Sequence, residues 1–204
     1  MPVRIKVVKE YRSGQFETER VRFISEREND MYLISIYFDE NADNKIRRFI
    51  QKVAEKSGNR YMLEAGVPPH ITISAFETDQ VNKVIALFDC KVHEIKAGKL
   101  QWVSIGVFNP HVIFISPVLN EYLHKLSVFV NETVSCVDNV SISRFYLPLQ
   151  WMPHTTIGKK LSLEEMLMAF KTLQNNFRMF DGTVTRIGLA KTNPYQEIRN
   201  WDLK

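Results

Sequence analysis

Glycine and cysteine are scarce in this chain, and long apolar runs are missing. The eight glycines form neither a GxxxxGK[ST] nor a GxGxxG pattern, so the sequence offers no loop to cradle a triphosphate or a dinucleotide, and no nucleotide cofactor is expected. The two cysteines, Cys90 and Cys136, lie far apart without a CxxC pattern, and no HExxH occurs, which predicts reduced structural thiols and no metal. No stretch of about 18 apolar residues is present, and the opening Met1-Pro2-Val3-Arg4-Ile5-Lys6 lacks the apolar centre of a secretory signal. A soluble, cytoplasmic, monomeric protein without membrane contact is the expectation. Neither sign of charge dominates, since 27 Lys and Arg against 23 Asp and Glu leave +4, a mild bias towards anionic partners such as nucleotides or RNA.

What is present is core-forming material, 45% of the chain, enough for one large domain or two small intimate lobes. Most of the basic excess sits in residues 1–27, so residues 1–30 read as a basic N-terminal extension whose stretches Val3–Val8 and Thr18–Ile24 suit a hairpin around Ser13-Gly14. From residue 31 the hydrophobic period predicts a strand over Tyr32–Phe38, a helix over Asp43–Lys56, a strand over His70–Phe76, a helix over Asp79–Phe88 and one or two strands within Val92–Val107. Asn109-Pro110 marks a break. The order then recurs: strand (Val112–Ser116), helix (Leu119–Val134), an irregular segment, strand (His154–Lys159), helix (Leu163–Phe177), and strands near Thr183–Ala190 and Ile198–Leu203. Two similar units predict a duplicated α+β domain over residues 31–204 with a pseudo-twofold axis, its lobes at about 31–108 and 109–204 and open to strand exchange.

One short pattern is built twice. Pro69-His70-Ile71-Thr72-Ile73 and Pro153-His154-Thr155-Thr156-Ile157 both read Pro-His-x-Thr-Ile, at the second strand of each unit. At ordinary usage of about 5% for proline and similar for threonine, two of the five histidines do not share these flanks by accident. Alternate residues of a strand share a face, so His70 and Thr72 point one way and Ile71 and Ile73 the other; His154 and Thr156 repeat this. Two imidazoles across a twofold axis, each beside a hydroxyl, suit attack on a phosphodiester: a neutral His takes a proton from water, a protonated one gives a proton to the leaving oxygen, and the threonines hold the non-bridging oxygens.

The paired His-x-Thr elements resemble the 2H phosphoesterase superfamily, which includes the RNA 2′,3′-cyclic phosphodiesterases also called 2′-5′ RNA ligases. The resemblance implies a bilobal α+β fold, two antiparallel-rich sheets around a central cleft with helices outside. It implies metal-independent hydrolysis of cyclic or 2′,5′ phosphodiesters, with His70, Thr72, His154 and Thr156 catalytic. The closing segment Tyr195–Leu203 is similar to the family's C-terminal strand, which places Tyr195 near the site.

Lys159, Arg144 and Trp151 flank the second motif and are candidates to meet a nucleotide phosphate or base at the cleft mouth. The segment Cys136–Met152 is a candidate rim that chooses the substrate. The leading expectation is hydrolysis of 2′,3′-cyclic phosphate ends of RNA or nucleotides. Its rivals are 2′-5′ RNA ligation, cleavage of 2′,5′-linked oligonucleotides and, from another class, an RNA-binding module with a vestigial site.

Overall fold

The computed structural model describes residues 6–7, 21–22, 30–192 and 194–204. Strands β1 (Lys6–Val7) and β2 (Val21–Arg22) pair antiparallel with Lys6 opposite Arg22, the pairing expected of the leader hairpin; the remainder of that extension lies outside the described residues. The ordered elements then run β3 (Met31–Phe38), α1 (Glu40–Ser57), α2 (Tyr61–Glu64), β4 (Ile71–Glu77), α3 (Val81–Lys91), β5 (Gly98–Phe108), β6 (Val112–Pro117), α4 (Glu121–Ser135), β7 (Ser141–Ile142), β8 (Thr155–Gly158), α5 (Leu163–Asn176), β9 (Phe180–Lys191) and β10 (Gln196–Asp202). The duplicated order is as the hydrophobic period predicts. The short α2 and β7 have no such period, being four and two residues long, and Val92–Glu94 forms a 3₁₀ turn ahead of a single long β5.

Local chemistry fixes where the helices begin. Asp39 accepts from the Ala42 N–H at 3.0 Å and so starts α1 earlier than apolar spacing alone suggests. Asn120 accepts from Leu123 N–H at 2.9 Å, and Ser162 with Glu165 forms a reciprocal capping box on α5. Gly58 ends α1 at φ 82°, a left-handed turn that costs glycine little.

The two sheets foreseen are hydrogen-bonded into one antiparallel path, β7-β4-β3-β9-β5-β6-β8, with β10 added along β9. The long β9 makes the join: Phe180–Val184 pair with β5, and Val184–Lys191 pair with β3. Late strands are therefore exchanged between the units: β5 pairs with β6 of the second, and β9, which precedes β10, pairs with β3 of the first. The β5/β9 register sets Leu100 opposite Gly182 at the centre of the pseudo-twofold.

One face of the path carries Ile34, Ile36, Ile71, Ile73, Ile113, Ile115, Ile157, Val184, Ile187 and Leu189, all essentially buried under the helices. Trp102 anchors this core, edge-on to Phe38 at 4.8 Å and stacked on Phe180 at 4.8 Å, and its indole donates to Thr155 Oγ1 at 3.2 Å. Helix α1 packs against β3, β9 and β8, strands of both units. Among the described residues, no helix is long and apolar enough to cross a membrane.

Asp39 does more than cap. Its carboxylate also accepts from Thr183 N–H, and its own N–H donates to Thr183 O at 2.9 Å, tying the β3–α1 corner to β9. Burial pushes this carboxyl up, but the N–H donors of Ala42 and Thr183 outweigh it and hold it below the ordinary range. The stability this contributes is present above the unfolded carboxyl pKa and lost as pH falls through the lower folded value. Asp39→Ala is expected to cost about 2 kcal/mol in urea unfolding at pH 7, with a smaller difference from wild type at pH 3.

Candidate active site

His70 and His154 each stand one residue ahead of a strand and are each held the same way. His70 Nδ1 donates to Pro68 O at 2.8 Å, and His154 Nδ1 donates to Met152 O at 2.9 Å, two residues back in both cases. A carbonyl can only accept, so both neutral rings carry their proton on Nδ1 and leave Nε2 free for chemistry. The preceding prolines, Pro69 and Pro153, are buried and fix the backbone at these corners.

The strands behind the histidines repeat one another residue for residue. In β4, Ile73 is an extra residue between the pairs Ser35↔Thr72 and Ile34↔Ser74; in β8, Ile157 is the extra residue between Phe114↔Thr156 and Ile113↔Gly158. Each bulge lies three residues after its histidine. It lets the isoleucine and the residue after it both turn from the cleft, so Ser74 donates to Asn131 Oδ1 at 2.9 Å on α4. His70 and Thr72 stay on the cleft face, as the alternation predicts, with Ile71 and Ile73 in the core. Thr155, the counterpart of Ile71, is accommodated there by accepting the Trp102 indole N–H.

Across the sheet the two motifs continue as matching rows. Thr72 lies beside Ser35 and Ser35 beside Gly188; Thr156 lies beside Phe114 and Phe114 beside Gly106. Both glycines are required by close approach: a Cβ on Gly106 would collide with the Phe114 ring, and one on Gly188 with Tyr37 and Asn200. The Ser35 and Thr72 hydroxyls are 3.4 Å apart. Among the described residues, no protein group bonds the half-buried Thr156 hydroxyl.

The walls are not symmetric. Beside His70 stands Tyr37, ring centroids 6.3 Å apart, with the Arg186 guanidinium 4.4 Å over its ring and Tyr195 Oη 3.3 Å from its hydroxyl. Burial pushes the Tyr37 hydroxyl well above its ordinary pKa, so it stays protonated. Beside His154 stand Phe108, edge-on at 4.8 Å, and Phe114 at 5.3 Å.

Burial lowers the pKa of both imidazoles. For His70 the positive charges of His154 and Lys159 lower it further, although the strands of the two motifs are far apart in the hydrogen-bonded order. The Nδ1 hydrogen bonds act the other way, favouring the charged ring.

The candidate residues separate on this basis. Lys159 is exposed and acts on His70, and Tyr195 reaches His70 through Tyr37. Arg144 lies on the exposed rim with its guanidinium 4.9 Å from the Phe145 ring, and no described contact brings it to a histidine. Trp151 is a correction: it is 6% exposed within the core, its indole N–H buried, so it offers no ring at the cleft mouth. The rim itself runs from the edge of β4, where Ser143 N–H donates to Ala75 O at 2.8 Å, to His154. Ser35, Tyr37, Arg186, Phe108 and Phe114 carry no motif; the only sequence signal for Ser35, Tyr37, Arg186 and Phe114 is their position on the cleft face of predicted strands, and Phe108 lies one residue past the predicted strand region. Among the described residues, no group of three or more His, Cys, Asp or Glu is placed to hold a metal ion.

The fold has counterparts among solved structures. A protein solved as a phosphoesterase is 15% identical over 86% of this chain and 99% of its own, with a TM-score of 0.53. LigT of E. coli in complex with 3′-AMP is also 15% identical, over 86% and 98%, with a TM-score of 0.53. The phosphate complex of LigT gives 12% identity and a TM-score of 0.51 over the same shares. No curated protein sequence matches. The family model of the 2′-5′ RNA ligase superfamily matches residues 38–196, a span holding both His-x-Thr rows, and the chain belongs to that superfamily.

Proposed function

We propose that the chain is a metal-independent phosphodiesterase that opens 2′,3′-cyclic phosphates at the ends of RNA or nucleotides. Membership of the superfamily supports phosphoesterase-type chemistry. The finer reading rests on one observation: two imidazoles with Nδ1 locked on a backbone carbonyl and Nε2 free, each beside a threonine on the same strand face. E. coli LigT has been solved with 3′-AMP, a nucleotide that carries its phosphate on the ribose edge where a cyclic phosphate would open.

In this reading the phosphorus lies between the two Nε2 atoms. One neutral imidazole takes a proton from water as the water oxygen bonds to phosphorus. The bond from phosphorus to one ribose oxygen breaks in line, and the other imidazole, protonated, gives that oxygen its proton. Thr72 and Thr156 donate to the non-bridging oxygens, with Ser35 orienting the Thr72 hydroxyl. Lys159 adds positive charge near the developing negative charge. The lobes 31–108 and 109–204 each contribute one half of this apparatus. Ligation to a 2′-5′ bond is the same exchange with a ribose hydroxyl in place of water, so the residues serve both directions.

Hydrolysis of nucleoside 2′,3′-cyclic phosphates, an RNA oligonucleotide ending in a cyclic phosphate and a 2′,5′-linked dinucleotide, all in EDTA, tests this reading. His70→Ala and His154→Ala are each expected to lower the rate at least about 100-fold while nucleotide binding largely persists. RNA bound by a wild type that turns over no substrate would leave a binding module with a vestigial site.

The pH profile carries a second expectation. Because burial lowers both imidazoles, the base becomes neutral at lower pH than a free histidine, and the acid loses its proton at lower pH too. kcat/KM is expected to follow a bell centred below pH 6.5, both limbs belonging to the coupled pair. A centre above pH 7.5 would contradict this assignment.

A further inference from the structure

The pseudo-twofold permits a comparison that a single site does not. The catalytic elements match across the axis: histidine, threonine, bulge and glycine. What differs is what stands next to them. Two residues beyond Gly106 on β5 comes Phe108, and two residues beyond Gly188 on β9 comes Ala190. Phe108 lies against the His154 ring, whereas its counterpart Ala190 is buried opposite Leu33 and brings no ring to His70.

Phe108 is open as well as adjacent. It ends β5 at the turn into β6, is 39% exposed, and packs on Phe114 at 4.4 Å and edge-on to His154 at 4.8 Å. The aromatic ring beside His70 is closed. Tyr37 is 4% exposed, with Arg186 over its face and its hydroxyl against Tyr195. Trp151 lies in the core, and the Phe145 ring carries Arg144. What sets Phe108 apart from the other exposed apolar side chains is its place: it lies edge-on to His154 and is supported from behind by Phe114. A flat aromatic ligand is the occupant that such a ring recognises.

Building on the function proposed above, we infer that Phe108 is the residue on which the substrate's nucleobase stacks, so that the nucleoside lies on the His154 side of the cleft. Stacking on a ring face reads no hydrogen-bonding edge, so the site accepts all four bases at the ribose bearing the phosphate, with purines favoured by their larger face. The ribose oxygens then lie beside His154, and the opposite approach to phosphorus, on the His70 side, is left to water.

The test reads binding, so it holds whether or not turnover is found. Adenosine 3′-phosphate and methyl riboside 3-phosphate, the same phosphate without a base, are titrated calorimetrically into the wild type, Phe108→Ala and Phe108→Trp. The wild type is expected to prefer the nucleotide. Phe108→Ala should weaken adenosine 3′-phosphate between about five- and 150-fold, the range that loss of one base stack produces, and leave the base-free ligand unchanged. Phe108→Trp should retain the preference, and its indole fluorescence should respond to adenosine 3′-phosphate alone. Equal weakening of both ligands would make Phe108 only a support for the His154 ring and overturn the inference. No preference in the wild type, or no measurable binding of the nucleotide, would overturn it as well. Absence of phosphodiesterase activity would count against the proposed reaction and leave this ratio to be judged by itself.

Discussion

The pairing of Gly98–Trp102 with Phe180–Val184 is the constraint on which the rest of the molecule hangs. It is the seam between the two units, across which β5 and β9 each pair with a strand of the other unit. Neither half can bury its isoleucine face without the strand that its neighbour supplies. Trp102 sits at this seam and holds rings or hydroxyls from β3, β8 and β9 at once. Removing so large a buried side chain commonly costs about 3 to 5 kcal/mol, and here the loss would fall on both units together.

The same seam makes the site. His70 and His154 belong to strands separated by four others in the hydrogen-bonded order, yet the charge of one is felt by the other. Helix α1 packs on β8 as well as on β3 and β9 and so links the two units. A pair of imidazoles so placed is electrostatically exclusive: burial disfavours charge on either, and charge on one disfavours it on the other. That disfavours the doubly charged pair most, and the singly protonated pair that the proposed acid/base exchange uses is confined to pH below the ordinary histidine range.

Symmetry supplies the reaction and its violation supplies direction. Matching bulges and matching glycines keep the two His-x-Thr rows equivalent. Ser35 against Phe114, and the closed Tyr37 against the open Phe108, make the two sides unlike. A phosphodiester is itself unsymmetric about phosphorus, with a nucleoside on one side and water or another hydroxyl on the other, so a site with unlike walls can hold it in one orientation.

The sequence by itself determined the duplicated α+β order, the two motifs and which motif residues face the cleft, because strand alternation and helical period are local and survive any tertiary arrangement. It also pointed to Lys159 by its place just after the second motif, and to Tyr195 through the resemblance of the closing segment to the family's C-terminal strand. Only the tertiary structure decided that Trp151 belongs to the core, since a single aromatic in an irregular segment has no period to show its direction. Only the structure brought Ser35, Tyr37, Arg186, Phe108 and Phe114 to the site, because cross-strand neighbours are set by register between segments far apart in the chain. Even the fusion of two sheets into one was decided at that level: the sequence predicts a strand only near Thr183–Ala190, and the extension of β9 back to Phe180, where it pairs with β5, is set by tertiary pairing.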